Sequence, residues 1–197
     1  MHFYILSLAT AKSTYAEFEL VDRPQRAEPP KCVACGARLS NLRRLPPHRY
    51  RLKHGNHPGD LLTDGMDIAV STRFVESYSV SGLSGLEFSD TTIELCNTAL
   101  AYYMASPVCT YTLLDESASG IAINNFRGCD KCRAMSIKSI DRVVLREETW
   151  LGEDIFRTAN LFGEILTSQR FVDFVYSNKF TNFQFIGQQD YHVDFGI

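Results

Sequence analysis

Two stretches of the chain share one pattern of apolar and polar positions. Met66 to Val70 is a short apolar run of strand length, followed by Ser71 and then by Phe74, Val75 and Tyr78. The i, i+1, i+4 spacing of those three residues predicts one apolar helix face. Gly163 to Thr167, then Ser168, then Phe171, Val172 and Val175 repeat the arrangement. Each serine stands where a hydroxyl caps a helix start. Arg73 and Arg170, with Glu76 and Asp173, hold matching polar positions. The predicted helices end near Gly82 and near Asn178–Lys179. Turns at Ser84-Gly85 and Thr181-Asn182 follow, where Gly and Asn tolerate left-handed backbone angles. Closing strands are predicted over Leu86 to Phe88 and Phe183 to Ile186. The segments IAVSTRFVESYSVSGLSGLEF (Ile68 to Phe88) and ILTSQRFVDFVYSNKFTNFQF (Ile165 to Phe185) align without a gap at an offset of 97.

Elsewhere the pattern is plainer. Tyr4, Ile5 and Leu6 read as a first strand, and TYAEFELV (Thr14 to Val21) alternates well enough for a second. VDRPQRAEPP, Val21 to Pro30, reads as an exposed connector, because paired prolines stop regular structure. Leu45 to His48 and His54 to Gly59 are turn-rich and expected to be irregular. Thr91 to Ala105 is compatible with helix or strand. Val108 to Leu114, Ile121 to Asn124 and Ile137 to Arg146 read as strands.

The cysteines obey the same offset as the apolar repeat. Cys32 and Cys35 recur as Cys129 and Cys132. Repeats govern the fold and are sought first, and two independent matches at one spacing predict two related halves, about residues 1–97 and 98–197, in a single domain over 1–197. A Cys-x-x-Cys turn aims two thiolates at one ion, and four thiolates complete a closed tetrahedral zinc site. Joining Cys32, Cys35, Cys129 and Cys132 round one Zn²⁺ is therefore the economical arrangement. The separation far exceeds the about 15–20 residues of zinc-ribbon pairs, which apposition of two equivalent turns would explain. Alternatives are a first-half site completed by His48, His54 or His57, or buried thiols or a disulfide without metal. Gly36 lets the first turn close with a left-handed residue. Arg133 stands at that position in the second, where a left-handed backbone costs about 1 kcal/mol. Cys96 and Cys109 read as core residues.

Composition narrows the classes. The chain has 197 residues, 45% hydrophobic and 22% charged, with a net charge of −3, as expected of a globular protein with a substantial core. No run approaches a membrane span, and MHFYILSLAT lacks the basic start and small-residue cleavage site of a signal peptide. A reducing cytoplasm is the expected location, where Cys-x-x-Cys points to metal chemistry. Charge is uneven: seven basic residues and no acid from Lys31 to Gly59, then seven acids against Arg73 from Asp60 to Glu94. Such blocks are either solvated faces or patches that steer a partner. There is no phosphate-cradling glycine loop, no G-x-S-x-G and no H-E-x-x-H. The pairs Glu147-Glu148 and Glu153-Asp154 read as solvated edges, and Trp150 as a structural anchor. Nothing here requires an enzyme.

CVACG (Cys32 to Gly36), its imperfect copy at Cys129 to Arg133, and the block from Gly152 to Ile186 together resemble the double-CxxCG motif family of myxobacterial type, whose members are immunity proteins of polymorphic toxin systems. In that block Asp154-Ile155-Phe156-Arg157 and Ser168-Gln169-Arg170-Phe171 match the family signature. The likeness runs from about Lys31 to the C-terminus, and the missing glycine after Cys132 departs from it. The resemblance implies a cytoplasmic protein that binds and neutralises one cognate toxin, with zinc as a structural staple. The expected fold is α+β, with two pseudo-repeated lobes, each a knuckle plus strand–helix–strand, sharing one core. For a basic toxin the candidate contact surface is the acidic stretch with Asp60, Asp64, Asp67, Glu87 and Asp90; the basic Arg43–Lys53 loop competes. The rival function is a zinc-ribbon nucleic-acid adaptor, with Arg38, Arg43, Arg44, Arg49, Arg51 and Lys53 on phosphates.

Overall fold

The computed structural model describes residues 2–9, 12, 14–21, 25–40, 44–45, 49–54, 57–95 and 98–195. Among these the chain is mixed α+β, mostly strands with two helices. In order come β1 (Phe3–Leu6), β2 (Glu17–Leu20), β3 (Gln25–Arg26), β4 (Arg44–Leu45), β5 (Arg49–His54), β6 (Leu61–Thr63), β7 (Ile68–Ser71) and α1 (Thr72–Val80). Next are β8 (Leu86–Leu95), β9 (Thr98–Cys109), β10 (Ala122–Phe126) and β11 (Met135–Ile140). After a 3₁₀ turn at Glu147–Thr149 follow β12 (Ile155–Arg157), β13 (Leu166–Ser168), α2 (Gln169–Ser177), β14 (Phe185–Gly187) and β15 (Val193–Asp194).

Both helices start as predicted. Ser71 Oγ accepts from Phe74 N at 3.2 Å and Ser168 Oγ from Phe171 N at 3.3 Å. At nine residues each, neither is long enough to persist alone in water, so tertiary packing must hold them. They share that packing. Phe74 and Tyr78 from α1 and Phe171 and Val175 from α2 enter one buried cluster with Leu6, Ile68, Ile155, Ile165, Phe180 and Phe183. Phe74 lies 5.0 Å from Phe180 and 5.4 Å from Phe183, ring centre to ring centre, close enough for ring–ring attraction beyond area burial.

The strands flanking each helix are arranged alike. β7 lies antiparallel between β6 and β9, and β9 pairs onward with β8. β13 lies antiparallel between β12 and β1, and β1 pairs onward with β14. The parallel pairing of β12 with β9 joins the two sets in one ten-stranded sheet, which β5 and β2 extend beyond β8. Polar ties cross between the sets. Asp60 accepts from Thr181 N at 2.8 Å, and Asp154 accepts from Ser84 N at 3.1 Å. Arg73 reaches Asn178 O at 3.0 Å, and Arg170 approaches Gly82 O at 3.4 Å.

Several expectations are corrected. Thr91 to Ala105 is neither undecided nor helical: β8 and β9 form a long antiparallel hairpin. Its alternation buries Thr91 and Ile93, and Tyr102 and Met104, while Asp90 and Glu94 face water. Val108 to Leu114 is no separate strand; Val108 and Cys109 end β9, and Leu114 makes only an isolated bridge to Leu145. The last strand before the 3₁₀ turn likewise stops at Ile140. The connector contains β3, which pairs with β4 across the first cysteine segment. Cys96 lies outside the described residues.

Candidate metal centre

The two cysteine turns are the tips of two ribbons. The β3–β4 pair and the Lys31↔Arg38 bridge close the first loop. Inside it Cys32 N donates to Ala37 O at 2.7 Å and Gly36 N to Cys32 O at 2.8 Å. The second turn caps the β10–β11 hairpin, beyond the Phe126↔Met135 pair. There Arg133 N donates to Cys129 O at 2.7 Å and Arg127 N to Ala134 O at 2.9 Å. Gly36 has φ 75° and Arg133 φ 48°, so both sit in the left-handed region as expected. Arg133 is held by two 2.7 Å bonds to Glu116 and lies 4.8 Å over the Phe126 ring.

These tips bring the four sulfurs of Cys32, Cys35, Cys129 and Cys132 within 4.8 Å of one another. Cys32 Sγ is 3.9 Å from Cys129 Sγ, and Cys35 Sγ is 3.8 Å from Cys132 Sγ. A disulfide needs about 2.05 Å, and all four are free thiols. A tetrahedron with Zn–S bonds of about 2.3 Å has edges of about 3.8 Å. The donor set therefore fits a closed four-thiolate zinc site. Cys32 and Cys132 are buried, Cys129 is half-buried and Cys35 is exposed, and Leu39, Leu113, Ala134 and Ala159 pack round the inner sulfurs.

The thiols of the first turn are shifted in opposite directions. Burial opposes ionisation of Cys32, yet the N–H groups of Ala34 and Cys35, then the neighbouring thiols, bring its pKa down to about 6. At Cys35 the Ala37 N–H pulls downward, but burial and the three other sulfurs push the thiol up to about 11. Four thiolates this close need a cation to be ionised together.

Among the described residues the cluster is made of the four cysteines and includes no histidine. His57 stacks on Tyr15 at 5.4 Å, His54 ends β5 opposite Glu17, and His48 lies outside the described residues. Cys109 is a half-buried thiol, pushed up to about 11 by burial, that packs against the cluster and donates to Leu39 O. It ties the end of β9 to the first loop. Trp150 is an anchor, with Nε1 donating to Glu153 O at 3.0 Å and its ring 5.2 Å from Phe3.

The acidic stretch does not gather into one free patch. Asp60 is buried and ion-paired with Arg73 at 2.6 Å. Burial alone raises its pKa, but Arg73, Thr181 N and the Ser71 and Thr181 hydroxyls outweigh it and hold Asp60 below the usual value. Asp64 and Asp67 both bind Arg44, at 2.6 and 3.0 Å. Asp67 is raised by burial, which Arg44 only partly offsets. Glu87 and Asp90 lie exposed on β8, and Glu87 has a partner of its own. In the basic loop Arg44 is consumed by those acids and Arg51 pairs with Glu19 at 2.6 Å; Arg43 lies outside the described residues.

Asp154, which opens the Asp154–Arg157 block of the family signature but was otherwise read as a solvated edge, is buried. Its exposure is 1%, and its carboxylate accepts from Ser168 Oγ at 2.7 Å and faces Arg170 at 3.4 Å. It is no solvated edge, unlike Glu147 and Glu148, which are exposed. Beyond the signature, its role matches that of Asp60, whose Ser71 bond is also 2.7 Å. Unequal spacing to the two serines hides that match.

The fold is a strand-rich mixed α+β one, with four cysteines close enough together to hold a metal ion. The model of the Immunity protein family (Imm11) matches residues 9–190, and the chain belongs to this family. No curated protein matches the chain. No helix among the described residues is long and apolar enough to cross a membrane.

Proposed function

We propose that this protein binds and neutralises the toxin of its own toxin system, in the cytoplasm, as a non-enzymatic immunity protein. The observation that carries the reading is the family match over residues 9–190. Its architecture is read as one domain of two pseudo-repeated lobes, supported by the shared offset of 97 and by the reciprocal Asp60–Thr181 and Asp154–Ser84 ties.

Cys32, Cys35, Cys129 and Cys132 are the residues to hold zinc, and the ion would supply a cross-link between two loops distant in sequence. A four-thiolate site leaves no position for substrate or water, so its work is structural. It fixes the first loop against the β10–β11 hairpin, and with it the surface both present.

Co-expression with the toxin encoded beside this gene tests the reading. Neutralisation is expected to restore growth, and the two proteins are expected to co-purify. A toxin that kills undiminished in the presence of this chain contradicts it.

A further inference from the structure

A cleft of about 1150 Å³ opens between the first cysteine loop and the ten-stranded sheet. Its lining includes the buried Ile68, Ala105 and Met135, the half-buried Val108 and Phe162, and Met66 with 55% exposure. Five arginines and three acids line it. Two of the arginines are already occupied. Arg44 holds Asp64 and Asp67, and Arg157 donates to Phe162 O at 2.9 Å and Gly163 O at 2.7 Å. The acids are engaged too: Asp67 by Arg44, Glu28 by Lys31, and Glu87 by an interaction of its own.

Arg26, Arg38 and Arg127 differ. All three are exposed, and none makes a side-chain hydrogen bond or ion pair within the described residues. Arg38 acts on Glu28, and Arg26 on Asp67, only at longer range. They come from β3, from the first cysteine loop and from the end of the β10 hairpin, so the two ribbons joined at the cysteine cluster set their spacing. Buried apolar lining beside exposed, free arginines matches the anatomy of a protein interface. A small-molecule site of about 300–1,000 Å³ instead places its polar groups inside.

We infer that this cleft is the docking site for an acidic segment of the partner protein, with Arg26, Arg38 and Arg127 gripping carboxylates above an apolar contact. The inference rests on the immunity reading and deepens it by naming the surface and the chemistry that fits. It also moves the contact away from the Asp60–Asp90 stretch, whose charges are largely spent inside the chain.

Two arms test it on the full zinc-loaded chain. In the first, a fluorescent short peptide alternating Asp and Leu is titrated by anisotropy. Saturable, salt-weakened binding is expected, reduced about tenfold or more in R26E/R38E/R127E. An equal charge change outside the cleft, K53E/K138E/R142E, should stay within about twofold. The same sites changed to Gln, with circular dichroism to confirm folding, should give a smaller loss in the same direction. No binding by the wild-type chain, or equal binding by the cleft and control variants, overturns the cleft. Displacement of the peptide by a short single-stranded DNA at lower concentration also overturns it, in favour of nucleic acid. The second arm measures rescue from the neighbouring toxin. Rescue by wild type and control with loss in the cleft variant supports the site. Rescue by all three overturns the site but leaves the immunity reading standing. No rescue by wild type removes the immunity reading, and the peptide arm then decides the cleft alone.

Discussion

At the first cysteine turn Gly36 takes φ 75°, with no atom within 4 Å of where a side chain would begin. At the second, Arg133 takes φ 48° and is locked by Glu116. Position 31 is Lys in the first half, while the same offset aligns it with Gly128, where a Cβ would meet Ala134 N at 2.3 Å and Cys132 Sγ at 2.8 Å. The first turn is loose and uses glycine for backbone freedom. The second is crowded, uses glycine for room, and offsets a strained residue with a half-buried ion pair. Both turns nonetheless bring their sulfurs into one group within 4.8 Å, so a motif is preserved by its outcome and not by its letters.

Substitutions should separate the two turns. The largest effect is common to both: Cys32→Ser or Cys132→Ser removes a ligand and, where free zinc stands a thousandfold above its Kd, forfeits about 4 kcal/mol of linked stability. Thermal melts with and without a chelator measure it; the variants should melt near the chelated wild type. Gly128→Ala should follow, costing about 3 kcal/mol because backbone and sulfur cannot both retreat, and denaturant titration should show a loss larger than that of Gly36→Ala. Gly36→Ala meets no clash and should cost about 1 kcal/mol of left-handed strain. Arg133→Ala loses the Glu116 pair and keeps the strain, whereas Arg133→Gly loses the pair but relieves it. Glycine there should therefore be more stable than alanine by about 1 kcal/mol. Equal stabilities would mean the second turn carries no strain.

Away from both turns, Asp60 supplies the smallest and a pH-dependent effect. Its folded pKa lies below the ordinary value, so its stabilisation is complete above the unfolded value of about 3.9. It is lost as pH falls through the lower folded value. Asp60→Asn should be less stable than wild type at neutral pH, and the difference should shrink below about pH 4. A constant gap across that range would show that the charge is not what matters.

How much of this was legible follows from the range of the forces involved. Helix periodicity and the Ser71 and Ser168 caps are local, and they read out correctly. The meeting of the four cysteines was legible because two Cys-x-x-Cys pairs share one offset. The β8–β9 hairpin was ambiguous because Ala99, Ala101 and Ala105 suit helix or strand, and only pairing across the sheet decides. Asp154 looked like surface because it stands beside Glu153, whereas its carboxylate is bound by Ser84 N, 70 residues away, and by Ser168 Oγ. Arg26, Arg38 and Arg127 come from three separate segments, so no local pattern joins them.

The central claim is that one metal ion bound by all four thiolates clamps the two turns together. Zinc K-edge absorption with metal quantification on the purified full-length chain tests it most directly. The account predicts one zinc per chain, with four sulfur neighbours at about 2.3 Å. A chain purified with zinc in the medium but carrying none, or an ion with nitrogen or oxygen replacing any of the four sulfurs, would contradict it.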